Sequence, residues 1–307
     1  MSPELQIKTM DDMIRLENIS QFNELRGIET LHPLVSVFEF SKMKLIPESR
    51  AIYGFYCVFL KEAVCGDLKY GCNYYDYQEG TLVFIAPGQV VGIGNKPGSP
   101  RPKGWGLLFH PDIIRGTTLG KNIKQYSFFS YEANEALHLS EKERSTIVYC
   151  LTKIDHELQQ SIDRHSKTLI ANNIELLLNY CLRYYDRQFI TRSMVNKDIL
   201  VRFERLLDDY FQSEAPHLLG LPTVKYFANE LHLSANYFGD LIKKETGMPA
   251  QDHIRLKLIN LARQLIFDRT KTVSEIAYQL GFKHSQHFSR MFKAATGYTP
   301  IEFRTMN

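Results

Sequence analysis

Residues 223–247 read TVKYFANELHLSANYFGDLIKKETG, and residues 272–297 read TVSEIAYQLGFKHSQHFSRMFKAATG. At an offset of 49, Thr223/Thr272, Val224/Val273, Ala228/Ala277 and Leu231/Leu280 coincide. After one inserted residue the offset is 50, and Phe238/Phe288, Lys243/Lys293, Thr246/Thr296 and Gly247/Gly297 coincide. Self-similarity in register, with the single insertion placed in a turn, marks a duplicated supersecondary unit. Each copy has the grammar of a helix-turn-helix. A threonine caps a short helix whose small alanine lets a second helix approach closely. The turns are His232-Leu233 and Gly281-Phe282; a tight interhelical turn favours φ > 0, which glycine adopts freely and histidine tolerates better than most. The second helices bury Tyr237, Phe238, Leu241 and Ile242 in one copy, and Phe288, Met291 and Phe292 in the other. Gly247 and Gly297 close them. A helix from about 250 to 267 joins the copies.

A helix-turn-helix lays the start of its second helix in the DNA major groove. The outward positions there are Asn236, Gly239 and Asp240 in the first copy, and Gln286, Ser289 and Arg290 in the second. Arginine grips guanine O6 and N7, asparagine or glutamine grips adenine, and an aspartate accepts from the cytosine amino group. Lys243, Lys244, Lys283, His284 and Lys293 are placed for phosphates, which set affinity and register rather than sequence. The alternative for each residue is an ordinary solvated helix face.

Charge supports the same region. The 307 residues carry 37 Lys+Arg against 34 Asp+Glu, a net +3. Residues 1–195 hold 22 of each sign, whereas residues from Thr223 onward hold 12 basic against 7 acidic. A neutral first part joined to a basic last part points to a polyanion partner at the C-terminal end.

Residues 198–307 resemble the DNA-binding domain of the AraC/XylS family of transcription regulators. The resemblance rests on the two units, the Gly281-Phe282 turn, the F-S-R-x-F-K run at Phe288–Lys293 and the closing T-G-Y-T-P at 296–300. One departure, Pro249-Ala250 where the family usually has proline at the second position, only shifts a helix start. The resemblance implies two units reading successive major-groove segments of double-stranded DNA, and commonly activation by contact with RNA polymerase.

The first third has strand character: residues 32–41, 51–61, 67–77, 81–86 and 105–109 are rich in β-branched and aromatic residues. Gly92–Gly104 reads as a loop. Gly80–Gly88 resembles the strand and Pro-Gly turn of cupin barrels, and Leu108–Asp112 fits the same family. Tyr53, Phe55, Tyr56, Tyr70, Tyr74 and Phe84 are the candidates for holding a small organic effector by stacking and phenol hydrogen bonds. Alternation puts Tyr53, Phe55, Cys57 and Phe59 on one face and Tyr56 and Val58 on the other, and leaves open which is interior. Catalytic cupins cluster histidines around a metal; here His32, His110, His138, His156 and His165 are scattered and Val91 stands where a ligand histidine often follows the turn. No catalytic residue, metal or cofactor is expected. The rival is a cupin-type enzyme with an accessory nucleic-acid-binding domain.

After about residue 131 the period becomes helical. Ser140 caps a helix to about Gln160, and a second runs from about Ser166 to Asp186. The expected fold is therefore α+β: a cupin-like effector domain (1–130), a helical pair serving homodimerisation (131–187), a linker (188–197), and an all-α double helix-turn-helix domain (198–307). No apolar run is long enough for a membrane span, the N-terminus lacks a signal-peptide core, and five cysteines without C-x-x-C spacing read as reduced thiols; a cytoplasmic protein is expected.

Overall fold

The strand-rich and helix-rich parts of the sequence form separate units in the computed structural model, Met1–Gln188 and Phe189–Asn307. The structure describes residues 13–47, 49–62, 80–93, 101–131, 135–191 and 193–305. The first unit contains β1 (Met13–Leu16), α1 (Ile19–Arg26), β2 (Val35–Glu39), β3 (Ser49–Tyr53), β4 (Tyr56–Lys61), β5 (Thr81–Ile85), β6 (Val90–Ile93), β7 (Gly104–Phe109), α2 (Pro111–Ile114), α3 (Thr118–Asn122), β8 (Leu137–His138), α4 (Glu141–Leu158) and α5 (Ser166–Thr191). The strands lie in two sheets, ordered β1-β3-β6 and β2-β7-β4-β5-β8. Among the described residues no strand pairing closes the two into one hydrogen-bonded ring.

The five-stranded sheet is buried on both faces. Phe38, Cys57, Ile85 and Leu108 point into a core with Phe22 of α1 and with Ala51, Tyr53 and Phe55. The alternate residues Val58, Leu82, Phe84, Leu107 and Phe109 are also buried. This second face meets the helices: α4 packs on β2 and β7, and the Phe84 ring lies 4.3 Å from Phe128 and 6.1 Å from Tyr185 of α5. Burial on two sides explains why these strands read as near-continuous apolar runs. It also settles the faces: Tyr53, Phe55, Cys57 and Phe59 share the inter-sheet core, and Tyr56 turns toward Phe109 and Phe129 on the helix side.

Two strands depart from their sequence expectation. Residues 51–61 are not one strand; the chain leaves the three-stranded sheet at Tyr53 and enters the five-stranded one at Tyr56. Gly54 makes the crossing possible, because a Cβ there would stand 2.6 Å from the Glu17 carbonyl oxygen. Its N–H donates to the Leu16 carbonyl at 2.8 Å. Gly92 and Ile93, read as the start of a loop, belong to β6 and pair with Arg50 and Ser49 of β3. The expected strand at 67–77 lies outside the described residues.

The Ser140 cap is a reciprocal one. Its hydroxyl accepts from the Glu143 N–H, and the Glu143 carboxylate accepts from the Ser140 N–H at 2.9 Å. Arg187 of α5 grips the same carboxylate at 2.6 and 3.0 Å and donates to the His138 carbonyl at 2.7 Å, fastening α5 to the start of α4. Cys57, Cys150 and Cys181 are buried free thiols, and burial pushes each of them up from the ordinary thiol range. Residues 187–197, read as a linker without a clear period, are helical to Thr191 and again from Ser193.

Candidate nucleic-acid interface

The second unit is built from α6 (Ser193–Gln212), α7 (Ala215–Leu219), α8 (Val224–Glu230), α9 (Ala235–Thr246), α10 (Ala250–Leu265), α11 (Val273–Gln279), α12 (Ser285–Thr296) and α13 (Pro300–Thr305). The first helix-turn-helix is α8–α9 and the second is α11–α12. Both starts are capped as read: the Thr223 hydroxyl accepts from Tyr226 N–H at 3.2 Å, and the Thr272 hydroxyl from Glu275 N–H at 3.1 Å. In the second copy Glu275 returns the bond to the Thr272 N–H, which holds its carboxyl below the usual range. Thr272→Ala removes the hydroxyl half of this cap and keeps the backbone N–H that Glu275 accepts from; it is expected to lower stability by about 1 kcal/mol in denaturant titration. An unchanged midpoint would show that the cap contributes nothing.

The turns take the backbone form expected of them. His232 has φ +57°, the non-glycine positive φ of the described chain, and Gly281 has φ +92°. Ser234, whose place in the second copy is taken by His284, caps α9 by accepting from Tyr237 N–H at 3.1 Å. Gly247 and Gly297 end α9 and α12 in the left-handed conformation.

The two copies complete their cores from different helices. In the first, Phe203 of α6 lies edge-on to Phe227 at 5.3 Å and Phe238 at 5.1 Å. In the second, Phe288 and Phe292 pack with Phe282, with Phe303 of α13, and with Leu258 and Ala262 of α10. Met291, expected inside, is only partly buried. The segment that closes α7 approaches the second copy where the Gly220 carbonyl faces Gly281; Tyr210 donates to that carbonyl at 2.9 Å.

This packing fixes which residues face outward. Asn236 on α9 and Gln286 and Arg290 on α12 are exposed; Gly239, Asp240 and Ser289 are half-buried on the same helices. Lys243, Lys244, Lys283, His284 and Lys293 are all exposed. Lys244 has a second occupation, its Nζ standing 5.1 Å from the ring centroid of Phe189. His284 stands at the N-cap of α12 with its ring 5.7 Å from that of His287.

The effector candidates fall on two surfaces. Tyr53 and Phe55 are stacked at 5.2 Å within the inter-sheet core, and burial pushes the Tyr53 hydroxyl well above the ordinary phenol range. Tyr56 and Phe84 face the helices instead. Tyr70 and Tyr74 lie outside the described residues. His110 caps α2, its Nδ1 accepting from Asp112 N–H at 3.2 Å. Among the described residues no three His, Cys, Asp or Glu side chains are grouped to hold a metal ion, and no helix is long and apolar enough to cross a membrane.

Residues 227–306 match a family model described as a helix-turn-helix domain. The chain is similar to the probable transcriptional regulator LumQ of Photobacterium leiognathi, 26% identical over 136 residues that cover 44% of this chain and 50% of LumQ. It is also similar to the transcriptional activator RhaS of Salmonella paratyphi B, 30% identical over 149 residues, 48% of this chain and 50% of RhaS. The matches thus span about half the length of these relatives. Among solved structures, an AraC-type DNA-binding domain-containing regulator from Chromobacterium violaceum aligns at 25% identity and a TM-score of 0.26, covering 27% of this chain and 75% of that one. Residues 227–306 thus form a helix-turn-helix domain similar to those of named transcriptional regulators.

Proposed function

We propose that this protein is a sequence-specific DNA-binding transcription regulator, acting as an activator that contacts RNA polymerase and answering to a small organic effector in its N-terminal unit. The observation that carries the reading is the pair of capped helices, α9 and α12, each presenting amide and charged side chains of base-reading type at corresponding outward positions. Similarity to named transcriptional regulators supports it. Selection of genomic fragments by the purified protein at fixed salt tests it: a few preferred duplexes are expected, and equal affinity for all fragments would reduce the protein to nonspecific binding.

The effector reading takes its support from Arg26, which is 6% exposed. Its guanidinium lies 6.0 Å from the Phe22 ring centroid and donates through Nη1 to the Lys44 carbonyl at 3.5 Å, while among the described residues its Nε has no hydrogen-bond partner. A buried cation with no carboxylate paired to it among the described residues is costly unless something else pairs with it, and an acidic effector is the suited complement. Control then follows as a population shift, provided the effector binds one arrangement of the chain more tightly than the other.

The helical pair α4 and α5 is the proposed homodimer surface. Leu169 and Leu176, one heptad apart on α5, are each 46% exposed, and Tyr149 on α4 is 60% exposed. Charges placed in such a face oppose association, so Leu169→Glu with Leu176→Glu is expected to weaken the dimer about ten-fold or more in sedimentation. An unchanged dimer places the interface elsewhere.

A further inference from the structure

A cleft of about 460 Å³ lies between α10 and α12 within the C-terminal unit. Its apolar wall includes Ile254, Leu258 and Phe282, all buried, and the half-buried Met291. Two exposed guanidinium groups, Arg255 of α10 and Arg290 of α12, stand on the same cleft. Neither makes an ion pair or side-chain hydrogen bond among the described residues. An apolar cavity of this size with a few convergent polar groups matches the ordinary dimensions of small-molecule sites, roughly 300–1,000 Å³.

We infer that this cleft binds a small amphipathic monoanion, an aromatic or short aliphatic carboxylate, whose apolar body fills the space between α10 and α12. Its carboxylate is gripped by Arg255 and Arg290. The guanidinium fork matches a carboxylate in geometry as well as charge. DNA phosphate would answer the two arginines equally well, but it has nothing to place against Ile254, Leu258, Phe282 and Met291. An apolar ligand without charge would cover that wall and leave the cations unanswered. Only an amphipathic anion satisfies both halves of the site. Since Arg290 also belongs to the proposed base-reading set, the ligand and the preferred duplex compete for it; this last step rests on the DNA-binding reading.

The test uses the full chain without DNA and 2-naphthoate as the probe, followed by calorimetric titration. Saturable binding is expected, with 2-naphthamide, its neutral counterpart, bound about ten-fold more weakly or worse. Arg255→Ala, which removes one cation, and Ala294→Trp, which fills the cleft from an exposed position on its lining, are each expected to weaken 2-naphthoate by a similar factor. Thermal melts of both variants should match the parent. Absence of binding, equal affinity for the amide, or binding that survives both substitutions overturns the proposal. Because no duplex is present, such a failure leaves the DNA-binding reading standing. Loss of sequence preference in the genomic selection would conversely leave the cleft intact. Where both hold, adding a preferred duplex should lower 2-naphthoate affinity, while a duplex of unrelated sequence at the same salt should not.

Discussion

Alanine at Gly281 is expected to destabilise the C-terminal unit by about 3 kcal/mol, lowering its melting transition by roughly 12 °C. Two costs add. The residue sits at φ +92°, where an L side chain is strained by about 1–2 kcal/mol. Its Cβ would also stand 2.6 Å from the Gly220 carbonyl oxygen and 2.7 Å from the carbonyl carbon. Those atoms are backbone, held in place by the Tyr210 hydroxyl, so relief requires moving a chain segment rather than rotating a side chain; overpacking of this kind typically costs about 1–3 kcal/mol. The duplication supplies an internal control. His232 holds the corresponding turn position of the first copy at φ +57° and is exposed. There His232→Gly relieves backbone strain but loosens the unfolded chain, and the two nearly cancel, leaving a change under about 1 kcal/mol. Scanning calorimetry of the full chain measures both. A loss under about 1 kcal/mol for Gly281→Ala would mean that the Gly220–Gly281 approach is not a constraint.

The same comparison shows where the sequence is legible. Turn, cap and core of each helix-turn-helix follow from short-range chemistry, and the repeat states each signal twice: Thr223 and Thr272, His232 and Gly281, Gly247 and Gly297. The outward positions follow from the buried ones, because helix period ties Asn236 to Phe238 and Gln286 to Phe288. The N-terminal unit is less readable because its sheet is covered on both faces. Alternation correctly groups Tyr53, Phe55, Cys57 and Phe59, yet both groups are apolar, so no polar face marks the exterior. The switch of sheets at Gly54 depends on Glu17, 37 residues away in the chain, and no local signal announces it. Helix α1 carries local signals of its own: Asn18 and Gln21 form a capping box, and Gly27 closes the helix at φ +67°. Arg26 has no sequence signature, since the partners around it, Lys44 and Tyr53, lie 18 and 27 residues away in the chain. The cleft beside α12 is likewise invisible in one dimension. Arg255 sits on a helix that reads only as a spacer, and its neighbour Arg290 already had a role on another edge.

Arg290→Ala is expected to weaken binding to a preferred duplex by about 2 kcal/mol, roughly 30-fold, and to leave affinity for an unrelated duplex nearly unchanged. Arg290 is exposed on α12, one helical turn beyond Gln286, and no protein group among the described residues competes for it. A guanidinium there can make two bonds to one guanine, and its loss should erase preference at one base position while preserving the others. Lys293→Ala serves as the contrast. A lysine that neutralises one phosphate should cost the same on every duplex and reduce the slope of log affinity against log salt by about 0.9. Fluorescence anisotropy across a salt series, on the preferred duplex and its single-base variants, separates the two patterns. A uniform loss for Arg290→Ala, with the smaller salt slope, would make it a phosphate contact and remove base reading from α12's most favourable side chain. Arg290→Lys sharpens the distinction, because lysine keeps the charge but lacks the fork. It should restore binding fully if Arg290 meets a phosphate and barely at all if it reads guanine.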